Sequence, residues 1–260
     1  MAETKKKYIE AAFELIERDG LAGASTRKIA EEVGCTSPAL YRHFPDIDKL
    51  IAVASIRFLR DYIEDARQLS QVDLNPLELN LQLWECLSFY SFQRADLFEK
   101  LFYGDPSGRL YSEAVSEYFT QYPEDLIGLK AFIFDLFMNS TIAERDLILL
   151  EQAEEKGMIT PESSIYLSKI DSYLYRGMLA SLKGRDLDEE DVRETTREFM
   201  QLIIKCYTQQ LNEGYSILVA SPDFKVADPV KELDARSSYR VKIIPVDIEK
   251  ANKRESRATA

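Results

Sequence analysis

The chain has 260 residues, 45% of them apolar and 30% charged, which is enough to bury a sizeable core without disulfide or metal staples. No run approaches the ~18 apolar residues of a membrane span. The start, Met1-Ala2-Glu3-Thr4-Lys5-Lys6-Lys7, leads into an amphipathic stretch with no apolar signal core, so no membrane partner and a cytoplasmic location are expected. The net charge of −12 argues against loose, sequence-blind binding to nucleic acid, yet it is uneven: +1 over residues 1–60, −14 over 61–212 and +1 over 213–260.

A first helix is predicted from about Thr4 to Asp19, with Tyr8, Ala12, Phe13 and Ile16 at helical spacing and Gly20 as the stop. A second runs over Thr26–Val33, with Ser25 as its N-cap and Gly34 just past its end. A short third covers Ser37–Phe44 and is ended by Pro45. A fourth is expected to run unbroken from Ile47 to Leu69. Asn75-Pro76 marks a boundary, with Pro76 in the first turn of a fifth helix. Further helices are expected near 76–93, 95–103, 107–121, 124–139, 140–156, 162–183 and 188–211. In the last, Asp188, Glu189, Glu190 and Asp191 suit the first turn, and Val192, Phe199, Leu202, Ile203 and Cys206 form an apolar face. Beyond 212 the pattern changes. Tyr215–Val219 reads as a strand, and so does the alternation of Tyr239, Val241 and Ile243 with Arg240 and Lys242.

Ser25 to Phe44 carries the functional signal. Two short helices are joined by a three-residue turn, and Gly34 lets the backbone reverse. Ile29, Ala30 and Val33 face inward on the first helix, and Leu40 and Phe44 on the second, toward Phe13 and Ile16. Ser37, Pro38, Ala39, Tyr41, Arg42 and His43 are left outward. Small residues at the front let a helix end approach base edges, and Arg42 offers a forked donor to guanine O6 and N7. Thr26, Tyr41 and His43 can donate to phosphate oxygens, and Lys49 can add another such contact.

With these residues in place the stretch resembles the TetR/AcrR family of bacterial transcriptional regulators. The likeness rests on Asp19-Gly20, Ser25-Thr26-Arg27-Lys28-Ile29-Ala30, Gly34, Leu40-Tyr41-Arg42-His43-Phe44 and Asp48-Lys49-Leu50, within residues 4–55. Cys35 departs from the small aliphatic residue usual there. The resemblance implies an all-α homodimer: a three-helix, helix-turn-helix DNA-binding domain over 1–55, then a larger helical effector-binding and dimerisation domain over 56–212. Residues 213–260 would be a short β or irregular extension without a counterpart in the minimal fold. Contacts to double-stranded DNA, an inverted-repeat operator, map onto Thr26, Thr36, Ser37, Pro38, Ala39, Tyr41, Arg42, His43 and Lys49.

Residues 84–137 hold 14 of the 28 aromatic residues. They read either as a large aromatic core or as a pocket for a small apolar or aromatic effector, with Trp84, Phe98, Phe102, Tyr118 and Phe134 as candidate lining. The stripe of Ile165, Ile170, Tyr173, Leu174, Gly177, Met178 and Ser181, with Phe199 and Ile203 of the last helix, is core or a four-helix dimer interface. Cys35, Cys86 and Cys206, scattered among apolar neighbours, are expected as semi-buried or buried thiols rather than a disulfide or metal set. No glycine-rich phosphate loop, nucleophile elbow or zinc spacing appears, so no catalytic residue, metal or cofactor is expected. The abundant carboxylates read as solvated faces. A ligand-responsive repressor is the reading these features favour. The rival is a protein coregulator that keeps the fold without reading DNA.

Overall fold

The computed structural model describes residues 2–139, 141–220 and 240–245. Its N-terminal part holds α1 (Ala2–Asp19), α2 (Thr26–Val33), α3 (Ser37–Tyr41) and α4 (Ile47–Ile56). The Ser25 hydroxyl accepts from the Lys28 amide at the start of α2. Gly34 sits at φ 73° and closes the helix with its own N–H on the Ala30 and Glu31 carbonyls, a left-handed stop that suits a residue without Cβ. Ile29, Ala30, Leu40, Phe44 and Leu50 are buried against Ile9, Ala12 and Ile16 of α1 in one continuous apolar core. Phe13, by contrast, stacks 4.4 Å from Phe58 and carries the Arg57 guanidinium 4.5 Å from its centroid.

That contact explains a departure from the sequence pattern. The unbroken helix expected from Ile47 to Leu69 is split into α4 and α5 (Arg60–Leu69) by a tight 3-10 turn at Arg57–Leu59. Ser55 donates its hydroxyl back to the Ile51 carbonyl at 2.7 Å, an arrangement that bends helices. The turn then swings Arg57 and Phe58 onto α1.

The remaining helices form the body: α6 (Pro76–Phe92), α7 (Ala95–Tyr103), α8 (Arg109–Gln121), α9 (Ala131–Met138), α10 (Ile142–Glu155), α11 (Pro161–Leu182) and α12 (Glu189–Gln210). The fold class is all-α, as read from the sequence, with a small strand pair at its end. Helix α6 is the axis. It is buried nearly all round and packs on α5, α7, α10, α11 and α12. Its start is fixed by a reciprocal cap between Asn75 and Glu78. Of the expected 124–139 helix, Pro123–Leu126 is a 3-10 turn and only Ala131–Met138 is α-helical.

β1 (Tyr215–Ala220) pairs antiparallel with β2 (Arg240–Pro245), Ile217 opposite Ile243. Tyr239, expected in the second strand, lies outside the described residues. Val241 and Ile243 are buried on α6. The buried Glu78 carboxylate accepts the Ile243 amide at 2.7 Å, and Asn75 donates to the Ile243 carbonyl at 3.3 Å. The strand thus completes the polar start of the central helix.

Candidate functional site

The residues singled out at the helix-turn-helix lie on one side of the N-terminal part. Thr36, Pro38 and Arg42 are exposed, Ser37 and Ala39 half-buried. Tyr41 is 45% exposed despite its size, and its hydroxyl stands 3.4 Å from that of Thr26. Two donors expected to meet phosphate are therefore neighbours. Helix α3 ends at Tyr41, three residues earlier than expected, and Arg42 forms its C-cap. Arg42 is still in right-handed geometry, and the next two amides, His43 and Phe44, both bond the Leu40 carbonyl. The outward direction of Arg42 is therefore kept. Among the described residues it makes no ion pair, whereas Arg27 leans on Glu31 and Lys28 on Asp19.

His43 is half-buried, its ring 5.5 Å from that of Tyr8. Tyr8 donates to the Cys35 thiol at 3.3 Å, and burial together with that neighbour pushes its phenol up to about 12. Tyr8 was read from the sequence only as part of an apolar stripe. Its ring position beside His43 and Cys35 makes it the residue that holds the turn against α1. Lys49 is paired at 2.8 Å with Glu113 of α8, which keeps that carboxyl below its usual range. A pair this exposed yields readily to a phosphate. Lys5 bonds Glu117 at 2.9 Å and Lys100 bonds Asp48 at 2.8 Å, so the same seam carries charged pairs along its length.

In the body a cavity of about 40 Å³ opens between α5, α6, α7, α9 and α10, within about 480 Å³ of atom-free space that runs out into solvent. Trp84 and Phe102 line it, as proposed from the sequence, together with Tyr62, Phe137, Arg145 and Asp146. The other three candidates do not reach it. Phe98 is fully buried and stacks on Phe102. Tyr118 points the other way and donates to Asp125 at 2.5 Å. Phe134 is half-buried, 6.1 Å from Phe119.

The expectation that the carboxylates stand on solvated faces fails at Glu78, Glu85, Asp146 and Asp171, all buried. Asn80 donates to Asp146 Oδ1 at 2.7 Å and to the Tyr207 hydroxyl at 2.8 Å. Tyr207 in turn donates to Asp171 Oδ2 at 2.8 Å, and Trp84 Nε1 donates to Asp146 Oδ1 at 2.7 Å. These bonds link α6, α10, α11 and α12, and they leave Asp146 Oδ2 and Asp171 Oδ1 buried without a hydrogen-bond partner. Burial raises the Asp146 carboxyl to about 6, and burial plus the Asp146 charge raises Asp171 well above its ordinary value.

On the far side of the body the α11 stripe is open to solvent. Tyr173 is 69% exposed, Gly177 and Ser181 are exposed, and Ile170, Leu174 and Met178 are half-buried. Phe199 and Ile203, offered as interface residues on α12, are fully buried instead. Phe199 packs on Trp84, Phe92 and Tyr175, so it belongs to the chain's own core. Leu202, 40% exposed, is the apolar residue that α12 turns outward. Cys35, Cys86 and Cys206 are half-buried.

This arrangement is that of the helix-turn-helix DNA-binding regulators: a capped helix, a glycine-ended turn and a short second helix with an exposed cationic end. Residues 9–54 match the model of bacterial regulatory proteins of the tetR family. No curated protein matches the sequence. Solved structures similar to the chain include one of the molecular basis for control of antibiotic production by bacterial hormones, 17% identical, covering 81% of this chain and 98% of that one, with TM-score 0.49. Another is Thermus thermophilus FadR, a TetR family transcriptional repressor in complex with lauroyl-CoA, 16% identical over 78% and 94% of the two chains, with TM-score 0.47. A third is RolR in complex with resorcinol, 14% identical over 81% and 96%, with TM-score 0.49. Among the described residues no helix is long and apolar enough to cross a membrane, and no group of three or more acidic, His or Cys side chains is placed to hold a metal ion.

Proposed function

We propose that the protein is a cytoplasmic, homodimeric transcriptional repressor that reads an inverted-repeat operator and releases it when a small effector fills the cavity. The observation that carries this reading is the exposed surface of α3 and its C-cap, where Arg42 is unpaired among the described residues and Tyr41 and Thr26 stand together. Arg42 reads a guanine edge from the major groove. Thr26, Tyr41, His43 and Lys49 fix the register through phosphates, and Thr36 to Ala39 approach the bases.

In this division residues 1–55 are the reading head, 56–212 the effector and dimer domain, and 213–260 an extension that props α6. The open faces of α11 and α12 pair with a second copy about a twofold axis, Tyr173, Gly177, Ser181 and Leu202 at its centre. Such a dimer presents two heads to one side of the duplex. An effector in the cavity meets the Arg57–Leu59 turn through Leu59, and this turn packs on α1. Filling the cavity therefore biases the tilt of the heads, and affinity falls because both half-sites must be met together. Gel retardation on the DNA upstream of the protein's own gene tests the reading. A discrete shifted band is expected. Absence of any band at low salt would favour a coregulator that does not touch DNA.

A further inference from the structure

The cavity joins apolar walls to a cation that makes no ion pair among the described residues. Arg145 enters it from α10. Its Nε donates to the Asn139 carbonyl at 3.1 Å, and its guanidinium lies 3.9 Å from the Tyr111 centroid and 5.1 Å from that of Phe102. Among the described residues no carboxylate pairs with it, and its two terminal nitrogens have no acceptor. The neighbouring Tyr111 hydroxyl is fully buried and also without a partner. Both ring faces orient the guanidinium without satisfying the donors of its two terminal nitrogens, because an aromatic face accepts charge only weakly and offers no lone pair. A half-buried cation left so is a binding element awaiting an anion. The second polar feature of the cavity, Asp146, accepts on Oδ1 from Asn80 and Trp84, and its Oδ2 is buried without a partner and offers lone pairs to a ligand donor.

We infer that the effector is an amphipathic organic anion, its carboxylate or equivalent head held by the Arg145 guanidinium and its hydrocarbon body lying against Leu59, Leu83 and Phe137. This inference rests on the reading of the cavity as the effector site and narrows it from a merely apolar compound to a charged one. Lipophilic cations are disfavoured by the same guanidinium.

Three probes of nearly equal shape separate the charges: 4-cyclohexylbutyrate, its primary amide and 4-cyclohexylbutylamine. None absorbs where tryptophan does. Trp84 is the only tryptophan of the chain and lines the cavity, so its emission reports occupancy of the full-length protein. The butyrate should bind at least about tenfold more tightly than the amide, and the amine weakest. Arg145→Met should remove the preference while leaving amide binding within about threefold, and Arg145→Lys should retain part of it. Equal binding of acid and amide, tightest binding of the amine, or an anion preference that survives Arg145→Met would overturn the inference alone. Silence of Trp84 toward all three probes would overturn both the inference and the reading of the cavity as an effector site.

Discussion

Arg42 stands one residue beyond the last turn of α3, exposed and free of any ion pair among the described residues. Nothing within the fold competes for its forked donors, so its loss should be felt in DNA binding and not in stability. Arg42→Ala is expected to cost about 1–3 kcal/mol on the specific site and to relax one base preference, with an unchanged melting temperature. Competition binding against single-base operator variants would show it, and unaltered specificity would remove Arg42 from base readout. Asp171 makes a different prediction. Its pKa, and that of Asp146, is raised in the folded chain above the unfolded value, so the folded state holds the proton more tightly. The stability this contributes is full below the ordinary carboxyl range and is lost as pH rises through about 6 and beyond. Asp171→Asn keeps a donor toward Asp146 and an acceptor for Tyr207. Chemical unfolding of this variant between pH 4 and 8 should therefore fall less with pH than that of the parent. An unaltered slope would show that the pair does not hold its proton. Arg42 was legible in the sequence because caps and turns are local. The acid pair was not, because Asp146, Asp171, Asn80 and Tyr207 come from four helices and only packing brings them together.

At the scale of elements, the start and turn of the helix-turn-helix were readable, since Ser25 and Gly34 each act within one turn of themselves, whereas α3 ends at Tyr41, ahead of the stop expected from Pro45. The break at Arg57–Leu59 was not, because it accompanies a contact of Phe58 with the distant ring of Phe13, which only packing brings near. Apolar periodicity told which face of α12 is buried but not by what. Phe199 and Ile203 suit a dimer seam as well as a core, and the fold uses them for its core. The terminal strand pair was legible as alternation, while its docking on α6 was not. That docking should be structural: deleting residues 213–260 uncovers Glu78 and removes Val241 and Ile243 from the body. With two apolar side chains lost from cover, a destabilisation on the order of 3 kcal/mol is expected in urea unfolding. A truncated chain as stable as the full one would mean that β2 adds nothing to α6.

For the whole molecule, charge and symmetry act together. The −14 of residues 61–212 disfavours DNA on the body, so under the proposed function productive contact would be confined to the two heads of the proposed dimer. Tyr173→Arg with Leu202→Glu should yield a folded monomer in analytical ultracentrifugation, with loss of tight binding to the inverted repeat. A variant that stays dimeric would move the interface elsewhere. Whether the exposed face of α3 reads DNA is decided by selection from random-sequence duplexes at low and moderate salt. Recovery of an inverted repeat is expected, with half-sites one helical turn apart and enrichment that is lost with Arg42→Ala. Recovery of no common sequence at either salt would contradict it.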